Sequence, residues 1–211
     1  MSRAARTRAA VVDALLTLNE QGNLRPTARD IAEQAGVSLR SLYVHFDDLE
    51  ALFVAASQRH GERLGAVVPP LVVDGSLDDR LDAFLARRQV VNEFGAPVRR
   101  AALLQEHFSP AINKALSAGR QHMRLEVNRC FAPEIAASQP EGRRLSLALD
   151  IATGPATWES LRTHQGLSVD EAAAQVRDMV LAFIHAWVPR PSGAGAEAEN
   201  TMQTTAIGPL G

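Results

Sequence analysis

The chain has 211 residues, 46% of them hydrophobic and 22% charged, a balance that supplies a buried core and excludes a disordered or collagen-like polymer. Its formal net charge of -2 does not by itself announce a nucleic-acid partner. The single cysteine, Cys130, rules out an intrachain disulfide framework or a cysteine-based zinc site and fits a reducing cytoplasm.

The N-terminus MSRAARTRAAVVDALL is basic and then apolar, as in a secretory signal, but Asp13 interrupts the apolar part and no small-residue cleavage site follows. No apolar run reaches the roughly 20 residues a bilayer requires, so no membrane-spanning segment is expected. Val11, Ala14, Leu15 and Leu18 fall at i, i+3, i+4 and i+7 and predict a first helix, which Gly22 and Pro26 close. Thr27 then has N-cap chemistry, with Asp30 three residues on, and Ala28, Ile31, Ala32 and Ala35 repeat the helical spacing. Gly36 stands where a left-handed C-terminal residue is wanted. Ser38 caps a third helix with Leu42 and Phe46 inward, and Asp48 caps a fourth carrying Leu49, Leu52, Phe53 and Ala56.

The stretch VVPPLVVDG, 67–75, predicts a break. Helix starts are then expected near Ser76, near Pro97, at Ser109-Pro110, near Glu141 and at Ser168, on the strength of caps and of proline at the first helical position. Strand signals are nearly absent. The expected fold is all-α: a small N-terminal helical module over 1–47, a larger helical one over 48–188, and a disordered tail over 189–211 that lacks apolar periodicity.

Two short helices joined by a Gly-Val step form a helix-turn-helix, whose second helix lies in the major groove. Ser38, Leu39, Arg40, Ser41 and Val44 are the positions expected to face base edges. Arg40 is the best reader among them, because a guanidinium reaches guanine O6 and N7 together, whereas Leu39 can at most touch a thymine methyl. Tyr43, His45 and Thr27, the last with the free amides of its helix start, suit phosphate contacts. Basic residues nearby are arginines (Arg3, Arg6, Arg8, Arg25, Arg29), with Lys114 the chain's one lysine. Each feature alone occurs in ordinary helical cores, so the register of the whole stretch carries the reading.

That register, T-x-x-x-I-A-x-x-A-G-V-S-x-x-S-L-Y-x-H-F followed by D-L-E-A-L-F, resembles the tetracycline-repressor (TetR) family of bacterial regulators over about the first quarter of the chain. The resemblance implies an all-α homodimer, with a three-helix helix-turn-helix DNA-binding domain over 1–47 joined through a fourth helix to a larger helical effector-binding and dimerisation domain over 48–188. Carried over by position, Thr27, Tyr43 and His45 become backbone contacts and Ser38 to Ser41 the reading segment. One departure stands out: the family often has a lysine where this chain has Leu49, among Asp47, Asp48 and Glu50. A phosphate contact is lost there, and the acids repel DNA unless they serve as caps.

Farther on, Leu77, Leu81, Phe84, Leu85, Arg88, Val91 and Asn92 share a stripe, which places the polar Arg88 and Asn92 inward. A buried arginine needs a neutraliser: an acidic or carbonyl-bearing ligand, an internal partner such as Asp150, or water reached by snorkelling. Pro155 is expected to interrupt the helix begun near Glu141 and so to make room for a pocket. Phe84, Phe108, Met123 and Trp158 complete a candidate effector-binding set with Arg88 and Asn92, although such side chains also fill plain cores. His122 and Glu126, four apart, suit a surface pair better than a metal site, and no third ligand is evident. No catalytic set, phosphate loop, metal site or cofactor motif assembles. The last two helices offer small residues (Ala148, Ala152) against large ones (Val176, Met179, Val180, Phe183, Trp187). In the family the corresponding helices form a four-helix bundle across a twofold axis.

The expected protein is therefore a cytoplasmic, homodimeric transcriptional regulator rather than an enzyme. Its partners are a double-stranded, near-palindromic DNA operator, a second copy of itself and a small-molecule effector, with no membrane. A repressor released by effector is the leading reading. The alternative is an effector-independent DNA-binding protein whose C-terminal domain only dimerises or recruits a protein partner.

Overall fold

The computed structural model describes residues 2–189, which fold into ten α-helices and one π-helical turn. Among these residues there is no strand, and no helix is long and apolar enough to cross a membrane. The tail expected over 189–211 lies, apart from Pro189, outside the described residues.

The first helices are α1 (Arg3–Glu20), α2 (Ala28–Gln34), α3 (Leu39–His45) and α4 (Leu49–Val67). Their boundaries follow from local chemistry. Thr27 and Asp30 close both arms of a capping box, Ser38 accepts from the Ser41 amide, and Asp48 accepts from the Ala51 amide. Gly36 has φ +66°, a left-handed conformation that a side chain would strain, and it turns α2 into α3. Val11, Leu15 and Leu16 of α1, Ile31 of α2, Leu42 and Phe46 around α3, and Leu52, Ala55 and Ala56 of α4 then bury against one another. Each large side chain removed from water contributes about 1.5–3 kcal/mol, which the short α2 and α3 need, because seven-residue helices are marginal alone. Across the outer edge, Asp13 accepts from Arg63 at 2.8 Å and so ties α1 to α4.

After the irregular segment that follows Val67 come α5 (Leu77–Leu103), α6 (Pro110–Cys130), α7 (Ala132–Ala137), α8 (Gly142–Thr153), α9 (Pro155–Glu159), a π-helical turn (Ser160–His164) and α10 (Val169–Trp187). Their core gathers Leu81 and Phe84, Val127 and Phe131, Leu145 and Leu149, Trp158, and Val176, Val180 and Ile184. Cys130 is buried there, and burial pushes its thiol up to about 11, so it packs as an unreactive apolar side chain.

The sequence expectation needs correcting at Pro97. No helix starts near Pro97; α5 runs through it to Leu103. A proline inside a helix removes an amide donor at a cost on the order of 3 kcal/mol. Val98 and Ala101, just beyond it, are buried, Val98 within the first core, and this packing keeps the helix on course. Pro155 interrupts the helix begun near Glu141 as expected, but by opening a new helix rather than bending the old one. α8 ends at Thr153, Gly154 is extended (φ -77°, ψ 160°), and Pro155 opens α9 at its first position, where its missing amide costs nothing. Because α5 feeds both cores, it joins the two halves of the molecule, as does the Ser109 hydroxyl, which donates to the Glu50 carboxylate from the start of α6.

Candidate functional site

The outward face of α3 follows from its inward one. Leu42 is fully buried and Phe46 nearly so, and this fixes the rotation of the helix. Ser38, Leu39, Arg40, Tyr43 and Val44 are consequently exposed, Val44 at 73% and Tyr43 at 48%, with Ser41 and His45 half-buried at the flanks. An exposed valine and leucine beside a tyrosine give up no packing in this fold and lie open to a partner surface. The Arg40 side chain makes no hydrogen bond or ion pair to another described residue, so its donors are free.

The rim of this face is built by capping. Thr27 is exposed at the start of α2, and its hydroxyl oxygen accepts from the Asp30 amide at 3.2 Å, which leaves the hydroxyl hydrogen outward. The Thr27 amide, however, already donates to Asp30 at 2.8 Å, and this bond, with the Thr27 hydroxyl, holds the Asp30 carboxyl below its usual range. A phosphate at this helix start is therefore left with the next amides, of Ala28 and Arg29, beside a permanent carboxylate. The Arg8 guanidinium lies 4.7 Å from the centre of the Phe46 ring, so α1 delivers one cation to the end of α3. Sequence spacing placed Arg8 only in a basic cluster, since the contact is made across the fold.

The acids around Leu49 have structural employment. Asp48 caps α4, Glu50 accepts from Ser109, and Leu49 is half-buried against the first core. Only Asp47 is left exposed without such a role. The lysine often found here is replaced by a packing residue.

The second set of candidates is only partly brought together. Phe84, Arg88 and Asn92 line one stripe of α5, all buried, and the Arg88 guanidinium lies 4.8 Å from the centre of the Phe84 ring. Met123 joins them through its backbone, its carbonyl accepting from Arg88 Nη2 at 2.6 Å. Trp158 is buried in the same core, with its indole donating to Glu93 at 2.7 Å. Phe108 stands apart: it is 82% exposed and borders a cleft of about 300 Å³ with Arg25, Phe53 and Ile112, between the two halves of the molecule. Asp150 is not the partner of Arg88; it accepts from Arg124 at 3.1 Å. The carboxylate that does face Arg88 is Glu126, which is buried, so the His122–Glu126 pair, 3.1 Å apart, is a surface pair on its histidine side alone. Glu126 was hidden in the sequence because it lies on α6, 38 positions from Arg88 and off any stripe that includes it.

A capped helix pair of this form, with an unpartnered arginine and tyrosine on the second helix, defines a helix-turn-helix DNA-binding regulator. Residues 12–56, from α1 into α4, match the family model described as bacterial regulatory proteins of the tetR family. Two solved structures share its fold. One, a transcriptional regulator of Rhodococcus sp. Rha1, aligns over 90% of this chain and 100% of its own at TM-score 0.67 and 16% identity. The other, from Mesorhizobium loti and assigned to the TetR-family transcriptional regulators, aligns over the same shares at TM-score 0.63 and 18% identity. At such identities the likeness concerns the fold, which extends through the helices beyond α4. No protein of curated function is significantly similar to the chain. The family match over α1 to α4 supports DNA binding in the regulation of transcription.

Proposed function

We propose that the protein is a homodimeric repressor, working in the cytoplasm, that grips a near-palindromic operator with two copies of α3 and releases it when a small molecule occupies the C-terminal half. The observation that carries this reading is the outward display of Ser38 to His45 on a helix whose rotation Leu42 and Phe46 fix. Arg40 reads a guanine, Leu39, Ser41 and Val44 meet neighbouring bases, and Thr27, Tyr43 and His45 hold phosphates.

Release requires a path between the halves. α4 contributes Leu52, Ala55 and Ala56 to the first core, while its Glu50 accepts from Ser109 on the cap of α6. A ligand that favours a shifted α6 therefore biases the position of α4 and the spacing of the two recognition helices. Its leverage equals its difference in affinity for the two conformers, typically about 1–3 kcal/mol. Dimerisation is supported by α8, where Leu147 and Ile151, one turn apart, are 45% and 71% exposed on the side away from the core that α8 shares with α10.

Two substitutions test the contact map. Arg40→Ala is expected to cost about 1–3 kcal/mol on the operator and to relax preference at one base pair; quantitative binding to operator variants checks this, and an unchanged profile removes Arg40 from the reading set. Tyr43→Phe is expected to weaken binding by about 1.5–3 kcal/mol, the worth of a hydrogen bond to a charged group, and equally on every sequence. Fluorescence anisotropy with specific and random duplexes measures it, and a loss confined to one base position contradicts a phosphate contact. Operator release is tested by titrating metabolites into the complex: a compound that dissociates it supports the repressor, and one that strengthens it points to a co-repressed or activating protein.

A further inference from the structure

The buried cations of the C-terminal half are of two kinds. Arg80 of α5 is only 3% exposed yet fully engaged: it pairs with Glu134 at 2.6 Å, donates again to that carboxylate at 3.2 Å, and also donates to the Cys130 carbonyl. Arg88, two turns along the same helix and 2% exposed, is not. One donor reaches the Met123 carbonyl, but Nε has no partner, and Nη1, although 3.3 Å from Glu126, is out of line for a hydrogen bond. Glu126 is already taken. Its Oε1 accepts from two nitrogens of Arg87 and faces His122, so one carboxylate serves two permanent cations. The other nearby acid, Asp150, is held by Arg124. Arg87, Arg88 and Arg124 thus share two carboxylates, and the excess of one positive charge falls beside Arg88, whose guanidinium lies over the face of Phe84 with only an ill-aligned contact to Glu126. One turn farther along α5, Asn92 is 1% exposed and its Oδ1 accepts from no group among the described residues.

Buried polar groups are rarely left orphaned, and an unpaired buried charge is more costly still. Three such atoms on one stripe of one helix mark a place shaped for something else. We infer that Arg88 and Asn92 form the recognition site for a small organic monocarboxylate whose hydrogen-bond donor lies about one helical turn, 5.4 Å, from its carboxylate. The carboxylate meets Arg88 Nε and Nη1, the donor meets Asn92 Oδ1, and Phe84 supplies an apolar wall. An excess of one positive charge matches a monoanion better than a phosphate, which carries closer to two. The inference rests on the reading of the C-terminal half as an effector receptor and gives that effector its chemistry.

Its test needs no DNA. Thermal unfolding of the full chain is followed with millimolar acetate, benzoate or 4-hydroxybenzoate, against sodium chloride at equal ionic strength and against neutral 4-hydroxybenzamide. The midpoint is expected to rise with the carboxylates, most with 4-hydroxybenzoate, and not with the amide. Arg88→Met is expected to unfold at the same temperature as the parent chain or higher, because it removes a buried charge whose one facing carboxylate is already bonded to Arg87, and to lose the carboxylate response. A midpoint that no carboxylate moves, an equal shift from the amide, or a variant that melts at lower temperature overturns the site, the last by showing that Arg88 is a structural ion-pair partner. Operator binding by the parent chain is measured separately: its absence strikes the regulator reading, while a carboxylate response without operator release strikes only the link between the two.

Discussion

A chain carrying Leu147→Glu and Ile151→Glu is expected to become monomeric and to lose operator affinity by roughly 10²–10⁴-fold, while unfolding at nearly the parent temperature. The reasoning runs from exposure. Both side chains already stand largely in solvent, on the opposite side of α8 from buried Leu145 and Leu149, so glutamate there disturbs no intramolecular packing. Surface substitutions of this sort stay within about 0.5 kcal/mol of stability. Across a twofold interface, however, each residue meets its own symmetry mate or a close neighbour, so two substitutions per chain place four carboxylates in one apolar contact. Without the second half-site, the gain from effective concentration disappears, and that gain is worth about 10²–10⁴. Analytical ultracentrifugation and an operator titration check it together. A variant that remains dimeric and binds normally removes this face from the interface.

The second large effect concerns a residue that touches no DNA. Leu42→Ala is expected to destabilise the N-terminal module by about 2–5 kcal/mol. Leu42 is fully buried and is the only residue within the seven-residue α3 that is. Removing it deletes packing against α1 and α2 and leaves a cavity that a helix pinned by Gly36 at one end and Phe46 at the other cannot close. Because α3 owes its rotation to this contact, operator binding should fall more steeply than overall stability does, with amide exchange rising first in α3. Calorimetry with hydrogen exchange measures it; a loss below about 1 kcal/mol would show that α3 is held by something other than its core residue.

How far the molecule could be read in advance depended on the range of the forces involved. Caps act over three residues, and Thr27, Ser38, Asp48, Ser76, Ser109 and Ser168 all cap the helices that their spacing predicts. The turn at Gly36 is equally local. The exposed set on α3 was legible because two inward residues, Leu42 and Phe46, fix everything else on a helix so short. Pro97 misled because its local penalty is outweighed by Val98, which is buried in a core more than forty residues away in sequence. Arg88 and Asn92 were correctly placed inward by their stripe, but the identity of the facing carboxylate could not follow: Asp150 and Glu126 both sit on amphipathic helices, and only the packing of α6 against α5 decides between them. Phe108 looked like pocket lining by composition alone, yet it falls in the turn between α5 and α6, where no helical periodicity governs its direction.

The central claim, that the Ser38–His45 face of two paired copies reads duplex DNA, is tested most directly by selecting bound fragments from a random duplex library with the full-length protein. Two inverted half-sites are predicted, their centres one helical turn, roughly 34–36 Å, or a multiple of it apart, with a guanine in each whose enrichment disappears in Arg40→Ala. A pool with no enriched sequence, or a single unrepeated motif indifferent to Arg40, would contradict it.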